Sequence, residues 1–276
     1  MPLTELMHYF NDQLQSQART KALPKTGFYK VENGYWARFG SLTLGSQFHS
    51  ILNSNDDSLG HYSELIVRSG TGKPLSIDEI FNSLDNTNEI VHLDRLTRTL
   101  HSLNYLQQFD GQKGLLALTV QPRHIVSVIA EHGKTFEAIL SDCGLGPERV
   151  ILHTRLLDHA TLSHFHNALL SYRSRGYLVG ITLEKLQDVA LLEELSLEPD
   201  VIFYDYPELE KIAKPRSPLQ KNTLENIDAL KKYNNARRII VSHSENIDKN
   251  RIVGFDGYLQ LPSSNLSTDL SQQVAG

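Results

Sequence analysis

Residues 47–68 read QFHSILNSNDDSLGHYSELIVR, and this stretch decides the fold. It predicts an apolar strand, a polar turn over residues 53–60, and a second strand ending in Glu64-Leu65-Ile66-Val67-Arg68. The clustered Asn, Asp, Ser and Gly are turn chemistry. A strand ending on a carboxylate and an arginine sets an acid and a base near one rim of a sheet. That rim is where α/β proteins place their sites. The functional question is whether Glu64 has chemical company there.

Before this stretch, residues 4–18 place Leu6, Tyr9, Phe10 and Leu14 at helical spacing behind Thr4. The apolar face is expected to pack on the barrel; a partner-binding helix is the alternative. Residues 28–45 read as strands around an Asn33-Gly34 hairpin turn, with Trp36 in the core. After the stretch, Ser76 and Glu79 form a capping-box pattern that opens a helix. Residues 92–109 form an amphipathic helix with Leu93, Leu96, Leu100, Leu103 and Leu106 on one face. Strands then alternate with helices: strands at 115–120, 149–154, 177–183, 200–205, 238–241 and 254–261, with helices at 124–142, 158–175, 186–195 and 222–235. At about 25–30 residues per unit this implies parallel strands and crossover helices. A barrel follows from the number of units, and a doubly wound sheet is the alternative. The expected organisation is a helical extension over 1–27, a barrel over 28–262 and a loose tail over 263–276.

The chain has 276 residues, 40% apolar and 21% charged, with net charge −5. That balance gives no support to nucleic-acid or anionic-membrane binding. Cys143 is the single cysteine, which excludes an internal disulfide and fits a reducing compartment. No apolar run approaches the roughly 20 residues of a membrane span. The start, MPLTELMHYFNDQL, does not read as a signal peptide. A soluble, cytoplasmic protein is expected.

The segments, taken in order, resemble the EAL-domain family of bacterial phosphodiesterases, which hydrolyse cyclic di-GMP in a modified (β/α) barrel. The resemblance runs over about residues 35–262. Gln47 stands for the Gln of the family's Gln-Pro-Ile strand, and Glu64–Arg68 for its Glu-Ala-Leu-Leu-Arg signature. Leu93-Asp94-Arg95 is similar to the Asp-Arg that opens the next helix, and residues 116–125, with Pro122-Arg123, to the Asn-Leu-Ser-Pro segment. RVILHTR (149–155) is similar to the Glu-Ile-Thr-Glu strand, and GYLVGITLEK (176–185) to the strand ending in Asp-Asp-Phe-Gly. DVIFYD (200–205) is similar to Asp-x-x-Lys-Ile-Asp, RIIVSHSEN (238–246) to the Ala-Glu-Gly-Val-Glu strand, and GFDGYLQLP (254–262) to the closing Gln-Gly-Tyr segment.

The resemblance implies a two-cation site of carboxylates and an amide at the strand ends, and here the sequence departs from it. Thr119 replaces the Asn ligand and His153 a Glu. Thr182 and Leu183 replace two aspartates, and Ser242 a second Glu. Phe203 replaces the active-site lysine and Asp256 the late Gln. Glu64 and Asp205 survive. Hard cations want several oxygens, largely anionic, and two carboxylates are too few for a pair. Without the metals, water keeps a pKa near 15.7 instead of about 7. The expectation is therefore a catalytically inactive EAL-like regulator, with no catalytic residues, no metal and no cofactor, acting through protein–protein contact. Its partner is unidentified; degenerate family members point to a transcription or motility regulator, and a homodimer is expected. One alternative is a cyclic di-GMP receptor using the residual cradle Gln47, Glu64, Arg68, Asp94 and Glu245, with Arg68 as the phosphate- or guanine-pairing group. A second is an atypical active phosphodiesterase.

Two histidines, His153 and His243, fall in the altered motifs and could rebuild a metal site with Glu64 and Asp205. With Ser242 at the old ligand position, strand alternation predicts that His243 faces away. SGTGK at 69–73 lacks phosphate-loop spacing, and Ser242-His243-Ser244 lacks a paired base.

Overall fold

In the computed structural model the described residues are 2–21, 23–109, 114–128, 144–185, 187–205, 233, 235–243 and 254–261. Helix α1 (Leu3–Lys21) precedes a hairpin of β1 (Thr26–Val31) and β2 (Gly34–Phe39). The long hairpin of β3 (Leu42–Leu52) and β4 (Ser58–Arg68) is the predicted one, with Gln47 paired to Glu64 in register. Then come α2 (Ile77–Ser83), α3 (Thr87–Gln108), β5 (Leu115–Thr119), α4 (Pro122–Ser127) and β6 (Val150–Arg155). The chain continues through α5 (Leu162–Ser174), β7 (Leu178–Leu183), α6 (Gln187–Glu194), β8 (Val201–Tyr204), β9 (Arg237–Ser242) and β10 (Gly257–Gln260). The expected helix at 222–235, apart from residues 233 and 235, and the tail after Pro262 fall outside the described residues, as does helix 124–142 beyond residue 128.

The strands close a barrel. From β4 to β10 each strand runs parallel to its predecessor; β3 is antiparallel to both β4 and β10 and seals the seam. This is a modified TIM barrel with one reversed strand, so the barrel reading holds over the doubly wound sheet. A barrel leaves no exposed edge among its own strands.

Strand alternation sorts the core. Ile51, Ala117, Ile151, Val201, Phe203, Ile239, Val241 and Leu259 fill the barrel interior. Their neighbours Leu116, Leu118, Val150, Leu152, Val179, Ile181, Leu183, Ile202 and Tyr204 face outward beneath the helices. Side chains one residue apart on a strand point to opposite faces, and this division is that rule at work. The tight end of α5 needs Gly176, whose φ of 87° lets Tyr177 N–H reach back to the Tyr172 carbonyl at 3.3 Å.

A third core lies outside the barrel. Leu6, Met7 and Phe10 of α1 pack with Phe28, Tyr35, Phe39 and the leucines of α3. The α1 face therefore docks on the hairpin lobe and α3 rather than on the barrel wall. Two asparagines hold the hairpin in place by imitating a neighbouring strand. Phe28 N–H donates to Asn11 Oδ1 at 2.6 Å, and Asn11 Nδ2 to the Phe28 carbonyl at 2.8 Å. Tyr35 N–H donates to Asn104 Oδ1 at 2.7 Å, and Asn104 Nδ2 to the Tyr35 carbonyl at 2.8 Å. The hairpin's two-residue loop is Glu32-Asn33, one position earlier than expected, because Val31 pairs with Gly34.

Two local readings are corrected. Ser76 is the N-cap of α2, but its side chain makes no cap hydrogen bond. Helix α3 is not amphipathic in place: from Ile90 to Tyr105 only Val91 and Arg95 are half-buried. The hairpin lobe covers one side of it and the barrel the other, so its polar face is enclosed too. No helix among the described residues is long and apolar enough to cross a membrane.

Candidate functional site

The parallel strands carry their C-terminal ends to one mouth, and the inward positions there are Glu64, Thr119, His153, Arg155, Thr182 and Asp205. They line a cavity of about 250 Å³ that extends beneath α2 and α3, where Asp78, Phe81, Asp94, Thr97 and His101 complete its wall.

His153 is the centre of the mouth. It is 2% exposed, and its ring lies between Tyr62 and Phe203, with centroids 5.1 and 4.9 Å away. Gly180 opposes it on β7, and a Cβ there would lie 2.7 Å from the His153 Cβ, so only glycine makes room for the ring. Its Nε2 meets Thr119 Oγ1 at 3.2 Å and its Nδ1 meets Thr182 Oγ1 at 3.1 Å. Burial lowers its pKa to about 3. The neutral ring donates from one nitrogen and accepts at the other, so one threonine hydroxyl accepts and the other donates. The same burial, reinforced by the Asp205, Glu64 and Glu184 carboxylates, pushes the Tyr62 phenol up to about 12.

Two of the mouth carboxylates, Glu64 and Asp205, are each tied to a histidine. Glu64 Oε2 lies 2.7 Å from His49 Nε2, and Asp205 Oδ1 lies 2.6 Å from His243 Nε2. The second pairing corrects the alternation argument. Val241 belongs to the barrel interior, so Ser242 turns outward, and His243, just past the end of β9, comes round to the mouth side. The apolar pattern of the strand, rather than the aligned motif, sets the parity. Leu183 is corrected likewise: it faces the outer core, and Thr182 is the inward residue.

The expected cradle divides. Glu64 and Asp94 line the cavity, whereas Gln47 and Arg68 are not among its lining residues. The β4 strand continues past the barrel, and Arg68 lies over Trp36, 5.9 Å from the ring centroid. Glu245 is outside the described residues. Asp94 is buried at the base of α3. Burial pushes its carboxyl up, but the guanidinium of Arg98, the His124 ring and the Gln121 N–H outweigh that and hold it below the usual range. Arg98 Nε donates to it at 3.0 Å and Gln121 N–H at 2.9 Å.

Sequence reasoning missed the cluster around Arg155. Its guanidinium reaches Glu184 at 3.2 Å and Asp78 at 3.3 Å, joining β6, the end of β7 and α2 above the mouth. The signal was weak, because Glu184 follows its strand and Asp78 comes from a helix 77 residues away. Arg123 proved to be a fastener: it donates to the carbonyls of Phe81 and Leu84 and ties α4 to the end of α2.

The sequence matches no family model and no curated protein. The fold does match solved structures. A standalone EAL protein from Vibrio cholerae bound to cyclic di-GMP aligns with a TM-score of 0.60 at 13% identity, over 79% of this chain and 89% of that one. The Xanthomonas citri FimX EAL domain in complex with cyclic di-GMP aligns at 0.60 and 16%, over 79% and 85%. Klebsiella pneumoniae BlrP1 with manganese and cyclic di-GMP aligns at 0.62 and 15%, over 90% of this chain and 64% of that one. The chain therefore has the EAL-type barrel fold; at these identities the likeness establishes the fold and nothing finer.

The donors at the mouth do not fit the manganese that BlrP1 holds. Both His153 nitrogens face threonine hydroxyls, and Glu64 and Asp205 are each engaged by a histidine. Among the described residues no group of three or more His, Cys, Asp or Glu side chains converges as a metal site. Hard divalent ions ask for several oxygens, largely anionic.

Proposed function

We propose that the protein is a non-catalytic member of the EAL-type barrels that regulates another protein by contact. One observation carries the reading. At the centre of the mouth a neutral imidazole hydrogen-bonds two threonine hydroxyls, and the strand-end carboxylates Glu64 and Asp205 are each engaged by a histidine. Carboxylates held by histidines give too little free anionic oxygen to seat the pair of cations that would polarise water and steady a phosphoryl transition state. Phe203, fully buried in the barrel interior, stands where a lysine would be needed. An intact barrel with a mouth lacking hydrolytic chemistry directs the function to its surface, towards a partner such as a transcription or motility regulator or a second copy of the chain.

The test is cyclic di-GMP hydrolysis by the full chain with Mg²⁺ or Mn²⁺, followed by affinity capture from native lysate and sedimentation of the capture product. No turnover is expected, together with a stoichiometric protein complex. Turnover at rates ordinary for enzymes, about 1 s⁻¹ or faster, would overturn the reading.

A further inference from the structure

The wall that α3 gives to the mouth cavity carries a donor with nothing to donate to. His101 is 3% exposed and lines the cavity. Its Nδ1 lies 2.8 Å from Ser46 Oγ. Ser46 Oγ already accepts from Asn104 Nδ2 at 3.0 Å, and its own proton has no other acceptor among the described residues. That proton therefore goes to His101 Nδ1. Burial lowers the imidazole to about 3 and keeps the ring neutral. A neutral imidazole has one N–H, which here sits on Nε2. Nε2 has no hydrogen-bond partner among the described residues, and it is not shut off from solvent as Thr97 Oγ1, one turn away, is. The side left open to it is the cavity. A buried donor without an acceptor is costly, and native structures supply one.

The rest of the wall says what kind of acceptor suits. Glu64, Glu184 and Asp205 each accept from a neighbour through one oxygen: Glu64 Oε2 from His49, Glu184 Oε2 from Arg155, Asp205 Oδ1 from His243. Their second oxygens, Glu64 Oε1, Glu184 Oε1 and Asp205 Oδ2, have no partner among the described residues. An anion would enter against these carboxylates. A cation would find them already supplied and would be repelled by the His101 N–H. A hydroxyl suits both kinds of group, because it donates to a carboxylate oxygen while accepting from an N–H. Tyr62, Phe81 and Pro122 add apolar surface for C–H groups, the mixed lining of a small-molecule site. The cavity, about 250 Å³, is smaller than the roughly 300–1,000 Å³ of drug-sized sites, which limits the ligand to a small one.

We propose that the mouth binds a neutral polyhydroxyl molecule of monosaccharide size, one oxygen accepting from His101 Nε2–H and its hydroxyls donating to the second oxygens of Glu64, Glu184 and Asp205. The assignment goes beyond the protein-contact reading above and does not rest on it.

The experiment is calorimetric titration of the full chain with D-glucose, D-ribose, myo-inositol and glycerol, with cyclic di-GMP in parallel, and a proton–nitrogen correlation spectrum of the histidine rings. Saturable millimolar binding of at least one polyol is expected. His101 should carry its proton on Nε2, and that resonance should move as the polyol is added. His101→Phe keeps a ring and removes the N–H, and should weaken binding about tenfold. Glu64→Ala, at a half-exposed position, should weaken it several-fold. If His101→Phe does not fold, the spectrum of the parent decides. The proposal is overturned if no polyol saturates, which leaves water as the partner of the N–H. It is equally overturned if the proton sits on Nδ1, if binding leaves the His101 resonance in place, if folded His101→Phe binds as the parent does, or if cyclic di-GMP binds more tightly than every polyol.

Discussion

Helix α3 and the barrel mouth both bury polar side chains, and they do so in opposite ways. On α3 charge is enclosed and met by an opposite charge. Asp94 is 2% exposed and answered by Arg98, His124 and a backbone N–H, and Asn104 gives both ends of its amide to Tyr35. At the mouth the carboxylates stay in reach of water: the side chains of Glu64 and Asp205 are 48% and 25% exposed, each with one histidine beside it. The difference separates polar burial that specifies structure from polar groups left available for a ligand. Enclosed, paired charge cannot be withdrawn cheaply; half-solvated charge can change partners.

The largest expected effect tests that contrast directly. Asp94→Ala leaves Arg98 as an unanswered charge in an enclosed site and should cost about 3–5 kcal/mol. Glu64→Gln should cost less than about 1 kcal/mol, because its pair is half in water. Urea denaturation of the two variants measures both. If they lose similar stability, the division between structural and available polar groups is broken.

The contrast also explains what could be read in the sequence. The barrel was legible, because its strands recur in order and each apolar run alternates with a helix. The non-acidic residues at Thr119, His153 and Thr182, three positions that prove to face the mouth, were legible too, since residue identity is visible without coordinates. The facing of His243 was not. It depended on which of Val241 and Ser242 turned inward, and the interior packing of Ile239 and Val241 decided that. The buried polar face of α3 was hidden for a different reason. Its Asp94, Thr97, Arg98 and His101 look like a solvated stripe until the barrel and α4 are laid against them. The hairpin lobe itself is placed by Asn11 and Asn104, whose partners lie 17 and 69 residues away.

A smaller effect is expected where that lobe is covered by α1. Leu6 is 1% exposed among the α3 leucines and Phe28. Leu6→Ala should cost about 3 kcal/mol through lost burial and the cavity left behind, seen as a lowered melting temperature. It should leave the His153 share of the pH dependence of stability unchanged, because the two cores are separate clusters. Loss of both together would mean that the lobe, through α3, holds the mouth in shape. The mouth and α3 would then be one unit and not two.

The finest discrimination comes from pH, because each region holds one histidine kept neutral by burial. His101 is carried by α3 and His153 by the strand at the mouth, both lowered from 6.5 to about 3. The unfolded chain takes up these protons near pH 6.5, while the folded chain refuses them until about pH 3. Between those values the unfolded state binds more protons, so stability is full above pH 6.5 and falls as pH drops. Each imidazole contributes about 1.4 kcal/mol per pH unit in that window. Asp94, held below 3.8, also favours higher pH, but its window opens only beneath that value. Urea melts at pH 7.5, 6.0 and 5.0 should therefore show a slope that His101→Asn and His153→Asn each reduce by one imidazole's share. If His101→Asn flattens the slope and His153→Asn does not, the mouth histidine accepts a proton in the folded state. Its carboxylate neighbours would then outweigh its burial, and the neutral centre on which the non-catalytic reading rests would be gone.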